Sequence, residues 1–169
     1  MLVGGASRRF GSPKALAQLE GETLAARAWR LLGEACEERI AVGKAADALP
    51  LPFPLVDDGS HVRAPIAGVV AGLRAASNDV CVFLPVDCPL VSADSLLRLA
   101  DAAPAAPTTG PLPGAYPRSI LPVLEQKLSE GDYSLRDLAA GIVELDRREL
   151  ANVNTEEDLA DLSRLSVRH

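Results

Sequence analysis

Histidine is nearly missing from this 169-residue sequence: His61 and His169 are the only two, and His169 is the last residue. That leaves no plausible Ser–His–Asp or Cys–His arrangement for nucleophilic catalysis. His61 sits in a polar stretch and reads as a surface residue rather than a base. The three cysteines, Cys36, Cys81 and Cys88, contain no CxxC pair, so with so little histidine a typical zinc site is also excluded. Free thiols in a reducing compartment are expected. Aromatic residues are 4% of the chain against 48% apolar residues, so the core must come from Leu, Val, Ile and Ala. Short aliphatic strands covered by Ala-rich helices suit that composition; an aromatic-rich sandwich does not. No apolar run approaches the roughly 20 residues of a membrane span, and glycines follow the first three residues at once, unlike a signal peptide. A cytoplasmic protein with no membrane partner is expected. Basic excess is missing as well. The net charge is −6, which argues against a nucleic-acid partner.

What basic charge exists is concentrated. Residues 1–19 hold Arg8, Arg9 and Lys14 and no acidic residue. A length of 169 residues suits one domain with one closed core, and no internal repeat or low-complexity tract divides it. Residues 1–3 read as the tail of a first strand. Residues 4–14, GGASRRFGSPK, form a glycine-rich loop, and 15–21 an extended piece ending at a turn on Gly21. Helical spacing of Leu24, Ala28, Leu31 and Ala35 predicts a helix over 23–35. Ile40–Val42 and Leu55–Val56 read as strands, and Pro65 opens a helix with Ile66, Val69, Val70 and Leu73 behind it. The run VCVFLPV at 80–86 has the continuous apolarity of a strand covered on both faces. A helix is expected over 92–103, and residues 104–117, with five prolines and two glycines, read as a loop. Helices over 118–129 and 134–140, a strand at 142–145 and a last helix capped by Thr155 with Asp158 complete the chain. Strands alternating with helices predict a three-layer α/β/α sandwich around a mostly parallel sheet.

In such folds ligands bind beyond the carboxyl ends of the strands, which directs attention to three loops. In the first, glycines let backbone N–H groups approach phosphate oxygens, and Arg8, Arg9 and Lys14 add charge-assisted bonds to a polyphosphate. The spacing matches neither GxxxxGK[ST] nor GxGxxG. An ordinary turn with solvated arginines is the competing reading. Asp87 ends the long buried strand before Pro89; a carboxylate there can hold Mg²⁺, which takes one or two carboxylates plus phosphate oxygens, or can simply cap a turn. Asp57 and Asp58 end another strand on the same edge. They could contact ribose hydroxyls or the metal, and adjacent strand residues point opposite ways, so one of the two is expected to do so. Asn152 and Asn154 could share one side, where amides bind phosphate, complete a metal shell or cap the last helix.

Taken together these segments resemble a known family. Leu2-Val3-Gly4-Gly5-Ala6-Ser7-Arg8-Arg9-Phe10-Gly11-Ser12-Pro13-Lys14 resembles the nucleotidyltransferase signature LAGGxSxRMGxxK. Pro65-Ile66-Ala67-Gly68-Val69 resembles GPLAG, with Ala64 in place of the first glycine. Phe83 to Pro89 resembles the family strand ending in a metal-binding Asp-x-Pro, and Asn152 to Leu159 resembles its NVNTPEDL tail. Gly43-Lys44 stands where family members often have Asn. The order and spacing are similar to the molybdenum cofactor guanylyltransferases. The resemblance implies a Rossmann-like fold of the nucleotide-diphospho-sugar transferase type, one nucleotidyltransferase domain over 1–169, and Mg²⁺-dependent transfer of GMP from GTP to molybdopterin-bound molybdenum cofactor with release of pyrophosphate. It implies that Leu2, Val3, Gly4 and Gly5 bind the nucleotide, that Lys14 binds its phosphates, and that Asp57 or Asp58 binds the nucleoside. Asp87 would take nucleotide and Mg²⁺, and Asn152 and Asn154 would lie by the pterin. Arg8, Lys14 and Asp87 are the catalytic candidates. Partners would be GTP, the molybdopterin cofactor, and proteins that deliver the cofactor or accept it. The alternatives are a relative using CTP or a sugar phosphate, and a nucleotide-binding relative without catalysis.

Overall fold

The structure, a computed structural model, describes residues 1–4 and 12–166, with the side chains of residues 165 and 166 outside that description. A 3₁₀ turn at Lys14–Leu16 leads to a hairpin of β1 (Gln18–Leu19) and β2 (Glu22–Thr23). Glu20 and Gly21 turn it with positive φ, 54° and 81°, a conformation that glycine adopts without penalty and that accounts for the expected turn. Helix α1 (Leu24–Ala35) starts where the Thr23 hydroxyl accepts the Ala26 N–H at 3.1 Å. Strand β3 (Ala41–Gly43) pairs in parallel with β4 (Leu55–Asp57). Helix α2 (Pro65–Ala75) begins on its proline, whose missing N–H is one the first turn could not use. Strand β5 (Val80–Phe83) precedes α3 (Ala93–Asp101), which is capped by the Ser92 hydroxyl. β6 (Ala105–Ala106), β7 (Gly114–Pro117), α4 (Leu121–Glu130), β8 (Gly141–Ile142) and α5 (Glu156–Ser166) follow.

Residues 1–3 join these pieces into one sheet. Leu2 bridges Val42 on one side and Pro85 on the other, both in parallel. The Val3 N–H donates to Val42 and the Leu2 N–H to Leu84, each at 2.9 Å. The resulting order is β4, β3, segment 1–3, β5, β7, β6, β8. Side chains alternate across it as a pleat requires. Met1, Val3, Ala41, Leu84 and Val86 pack with Leu31 of α1, Leu96 of α3 and Leu162 of α5. Leu2, Val42 and Phe83 pack with Val69 and Leu73 of α2 and Leu124 of α4 on the other face. This is the three-layer sandwich the alternation of elements predicts.

Three expectations need correction. Residues 104–117 are more than a loop: they carry β6 and β7, and β7 runs antiparallel to both neighbours, β5 and β6. Proline density hid them, but the ladder runs through Ala105, Ala115 and Tyr116, whose N–H groups are intact. Residues 134–140 are not a helix. The Ala140 and Gly141 N–H groups both donate to Pro104 at 2.9 Å, so the segment is drawn into the sheet edge as β8 forms. The helix expected over 118–129 begins instead as a 3₁₀ turn at Arg118–Ile120.

Two glycines let α2 lie close to the sheet. A Cβ at Gly68 would stand 2.8 Å from Leu2, and one at Gly72 would stand 2.7 Å from the Phe83 ring. Phe83 is buried against Tyr116 and cannot swing away. Gly72→Ala should therefore lower stability by about 1–3 kcal/mol despite alanine's better helix propensity, read as a fall in the urea midpoint; an unchanged or raised midpoint would contradict this packing. Tyr116 gives a second expectation. Its hydroxyl is fully enclosed, donates to the Pro111 carbonyl at 2.7 Å, and is pushed by burial up to about 12. The unfolded chain releases that proton near its ordinary value of about 10, so the neutral hydroxyl's contribution is complete below about pH 10 and is lost as pH rises toward about 12. Urea titrations across that window should show stability falling, and Tyr116→Phe should flatten the fall.

Candidate active site

The carboxyl ends of segment 1–3, β3, β4 and β5 lie side by side, so the residues that follow them are brought together by the sheet itself. Gly4, Lys44, Asp58 and Asp87 line one cleft of about 440 Å³, a size ordinary for a small-molecule site. The first turns of α2 and the loop at Thr109–Leu112 form its walls. The Tyr116 hydroxyl holds that loop through Pro111.

At one end of the cleft Lys14 and Asp87 meet. Lys14 Nζ stands 3.3 Å from Asp87 Oδ2 and 3.1 Å from Asn154 Oδ1. The side chains are 16% exposed at Lys14 and 31% at Asp87, so the pair is half-buried and opens to water on its carboxylate side. The tail is clasped to the same place: the Val153 N–H donates to the Asp87 carbonyl at 2.8 Å, and Val153 is fully buried. Its neighbours Asn152 and Asn154 both reach the Asp87 region, Asn152 by accepting the Cys88 thiol at 2.9 Å. Burial and the adjacent Asp87 carboxylate push that thiol up to about 12, so it stays a donor at neutral pH. The Thr155–Asp158 capping box fixes the tail's exit: Asp158 accepts the Asn154 and Thr155 N–H groups, and Thr155 accepts that of Asp158. Those backbone bonds hold the Asp158 carboxyl below the usual range.

A second ion pair lies across the cleft. Lys44 Nζ is 2.7 and 2.9 Å from the two oxygens of Asp58, with side chains only 12% and 8% exposed. Removing one partner of a pair this enclosed costs about 3–5 kcal/mol. This pair is a fixed part of the wall. Asp57 points away and accepts the N–H groups of Ala45 and Gly59.

Of the residues marked from the sequence, Leu2, Gly4, Asp58, Asp87 and Asn152 line the cleft, and Lys14 and Asn154 join it through their bonds. Val3 packs into the core on the opposite face, and the N–H groups of Leu2 and Val3 are already spent on the sheet. Gly5, Arg8 and Arg9 lie outside the described residues. Sequence reasoning passed over Lys44 and Cys88 as site residues. A lysine directly after a strand on the carboxyl edge was the available signal for Lys44; the Cys88–Asn152 contact spans 64 positions and has none. Among the described residues no three metal-ligating side chains cluster. One available carboxylate, Asp87, opening on a cleft fits a Mg²⁺ ion that keeps water and substrate phosphate oxygens as its other ligands, and does not fit an all-protein cage.

A mostly parallel seven-strand arrangement with one reversed strand, and a lysine–carboxylate pair at the mouth of a carboxyl-edge cleft, make a Rossmann-like α/β/α sandwich with its ligand cleft where such folds place one. The chain belongs to the MobA-like NTP transferase domain family, which matches residues 1–149. It is 36% identical to a molybdenum cofactor guanylyltransferase of Pseudomonas putida over 95% of this chain and 94% of that protein. It is 32% identical to one of Acidiphilium cryptum over 94% of this chain and 90% of that protein. The crystal structure of molybdopterin-guanine dinucleotide biosynthesis protein A from Archaeoglobus fulgidus superposes with a TM-score of 0.79, covering 99% of this chain and 97% of that one. At 23% identity that likeness speaks to the fold alone.

Proposed function

We propose that this chain transfers GMP from GTP to molybdopterin-bound molybdenum cofactor and releases pyrophosphate, with residues 1–169 acting as one catalytic unit in the cytoplasm. The observation that carries the reading is the meeting of Lys14 and Asp87, 73 positions apart, at one end of a nucleotide-sized cleft. The family membership and the guanylyltransferase names of its relatives support the choice of GTP and acceptor. Among the described residues no helix is long and apolar enough to cross a membrane, in keeping with substrates that are small and dissolved.

The charge layout orients the nucleotide. The Lys44–Asp58 end is a closed, neutral pair and suits the nucleoside. The Lys14–Asp87 end, with the more open carboxylate and the lysine beside it, suits the triphosphate and its metal ion. An acceptor phosphate oxygen then bonds to the α-phosphorus while the bond from that phosphorus to the β-phosphate's bridging oxygen breaks, and pyrophosphate carries the electron pair away. Both reactants are anions, so the barrier is chiefly electrostatic. Lys14 offsets the charge on the α-phosphate and on the departing pyrophosphate, Arg8 is assigned to the same task, and Asn152 and Asn154 hold the acceptor. Asp87 would hold Mg²⁺, which when bound supplies further positive charge at the phosphates. No general base is needed, because a phosphate acceptor is already ionised near neutral pH. His61 is exposed and stands outside the cleft lining.

Asp87→Asn should reduce turnover by about 10²-fold or more while circular dichroism and melting temperature stay near wild type; Mg²⁺-dependent turnover persisting in that variant would remove Asp87 from the mechanism. Lys14→Ala should raise the KM for GTP or lower kcat, about tenfold or more in kcat/KM, and unchanged kinetics would remove Lys14. Pyrophosphate release measured with GTP, CTP, ATP and UTP checks the base, with the expectation that GTP leads.

A further inference from the structure

The Lys44–Asp58 pair has a complete hydrogen-bond count, and the count limits what Asp58 can bind. A lysine ammonium has three N–H donors and no acceptor. Those of Lys44 go to Asp58 Oδ1 at 2.7 Å, to Asp58 Oδ2 at 2.9 Å and to the Ser60 carbonyl at 2.5 Å. None is left for a ligand. A carboxylate offers about four acceptor directions, two on each oxygen. Oδ1 takes Lys44 and the Ser60 N–H, the latter at 2.9 Å. Oδ2 takes Lys44. One direction on Oδ2 remains, and Asp58 lines the cleft.

We propose that Lys44 is a positioning residue that restricts Asp58 to a single donor, a ribose hydroxyl of the nucleotide, so that the base is read elsewhere in the cleft. The proposal rests on the nucleotide-binding reading above and sharpens it. A guanine edge presents two adjacent donors, the N1–H and the exocyclic amine. Pairing both with one carboxylate needs an open direction on each oxygen, and on Oδ1 Lys44 and the Ser60 N–H fill both. Binding through one donor alone would leave the other unpaired against an enclosed wall, which is costly. A ribose hydroxyl brings one donor, adds no charge to a neutral pair, and matches the one open direction. All four common ribonucleotides carry that hydroxyl, so this corner selects ribose over deoxyribose and not one base over another.

The test compares kcat/KM for GTP, 2′-deoxy-GTP, 3′-deoxy-GTP and ITP, which lacks the exocyclic amine, in the wild type and in three variants. Wild type should prefer GTP over one of the two deoxy analogues by about tenfold, the scale of one hydrogen bond. In Lys44→Met/Asp58→Ala, which removes the pair without leaving a buried charge, that preference should fall to about twofold or less, while the preference for GTP over ITP stays as in wild type. Lys44→Met alone should also lower the ribose preference, and Lys44→Arg should restore most of it, a pattern that loss of packing alone would not give. The proposal is overturned if wild type shows no ribose preference, if that preference survives in the double variant, or if the GTP-over-ITP preference collapses there instead. Wild type that turns over no nucleotide would sink the parent reading. Dissociation constants for the same four nucleotides, by calorimetry, then decide the role of Lys44 and Asp58 by the same ratios.

Discussion

Three residues at the start of the chain hold the middle of the sheet, and the site depends on them. Segment 1–3 donates to β3 on one side and to the residues after β5 on the other. Among the described residues no other ladder joins the two halves of the sheet. Because all three pieces run parallel at this point, their carboxyl ends open on one edge. Gly4 therefore lies between Lys44, after β3, and Asp87, after β5. The cleft follows from that register.

The two ion pairs across the cleft show how exposure separates roles for the same chemistry. Lys44 and Asp58 are closed in, and their bonds are saturated by each other and by Ser60. Opening that pair would strand a charge in a poor solvent. In the Lys14–Asp87 pair only the carboxylate is more open: Asp87 is 31% exposed against 8% for Asp58, while the two lysines are similarly enclosed. The enclosed pair shapes the cleft wall, and the other brings a more open carboxylate to the same cleft.

The tail completes the arrangement from the far end of the chain. Its backbone bond from Val153 to Asp87 places two amides beside the carboxylate, and the capping box of α5 sets the direction in which the chain leaves. The strand-end loop at Asp87 is thus approached by Lys14 of the first turn and by the segment just before the last helix. Cys88 belongs to this clasp: as a buried thiol that stays protonated, it ties Asn152 to the floor of the cleft.

The sequence by itself determined the layers. Helical spacing located α1 and α2, the apolar run at 80–86 located the strand that ends at Asp87, and Thr155 with Asp158 located the last cap, because each signal lies within a few residues of the element it specifies. Family-like segments at 2–14, 65–69, 83–89 and 152–159 marked most of the candidate site for the same reason. Only the tertiary structure decided the rest. Strands β6 and β7 are held by pairing with partners distant in sequence and lie among prolines that masked them, while 134–140 has a helical pattern overridden by hydrogen bonds to Pro104. Which of Asp57 and Asp58 faces the cleft depended on where β4 ends, and the partnership of Lys44 with Asp58 required two parallel strands to be set side by side. Hydrogen bonds between segments are fixed by register, and register between distant strands leaves no local trace in sequence.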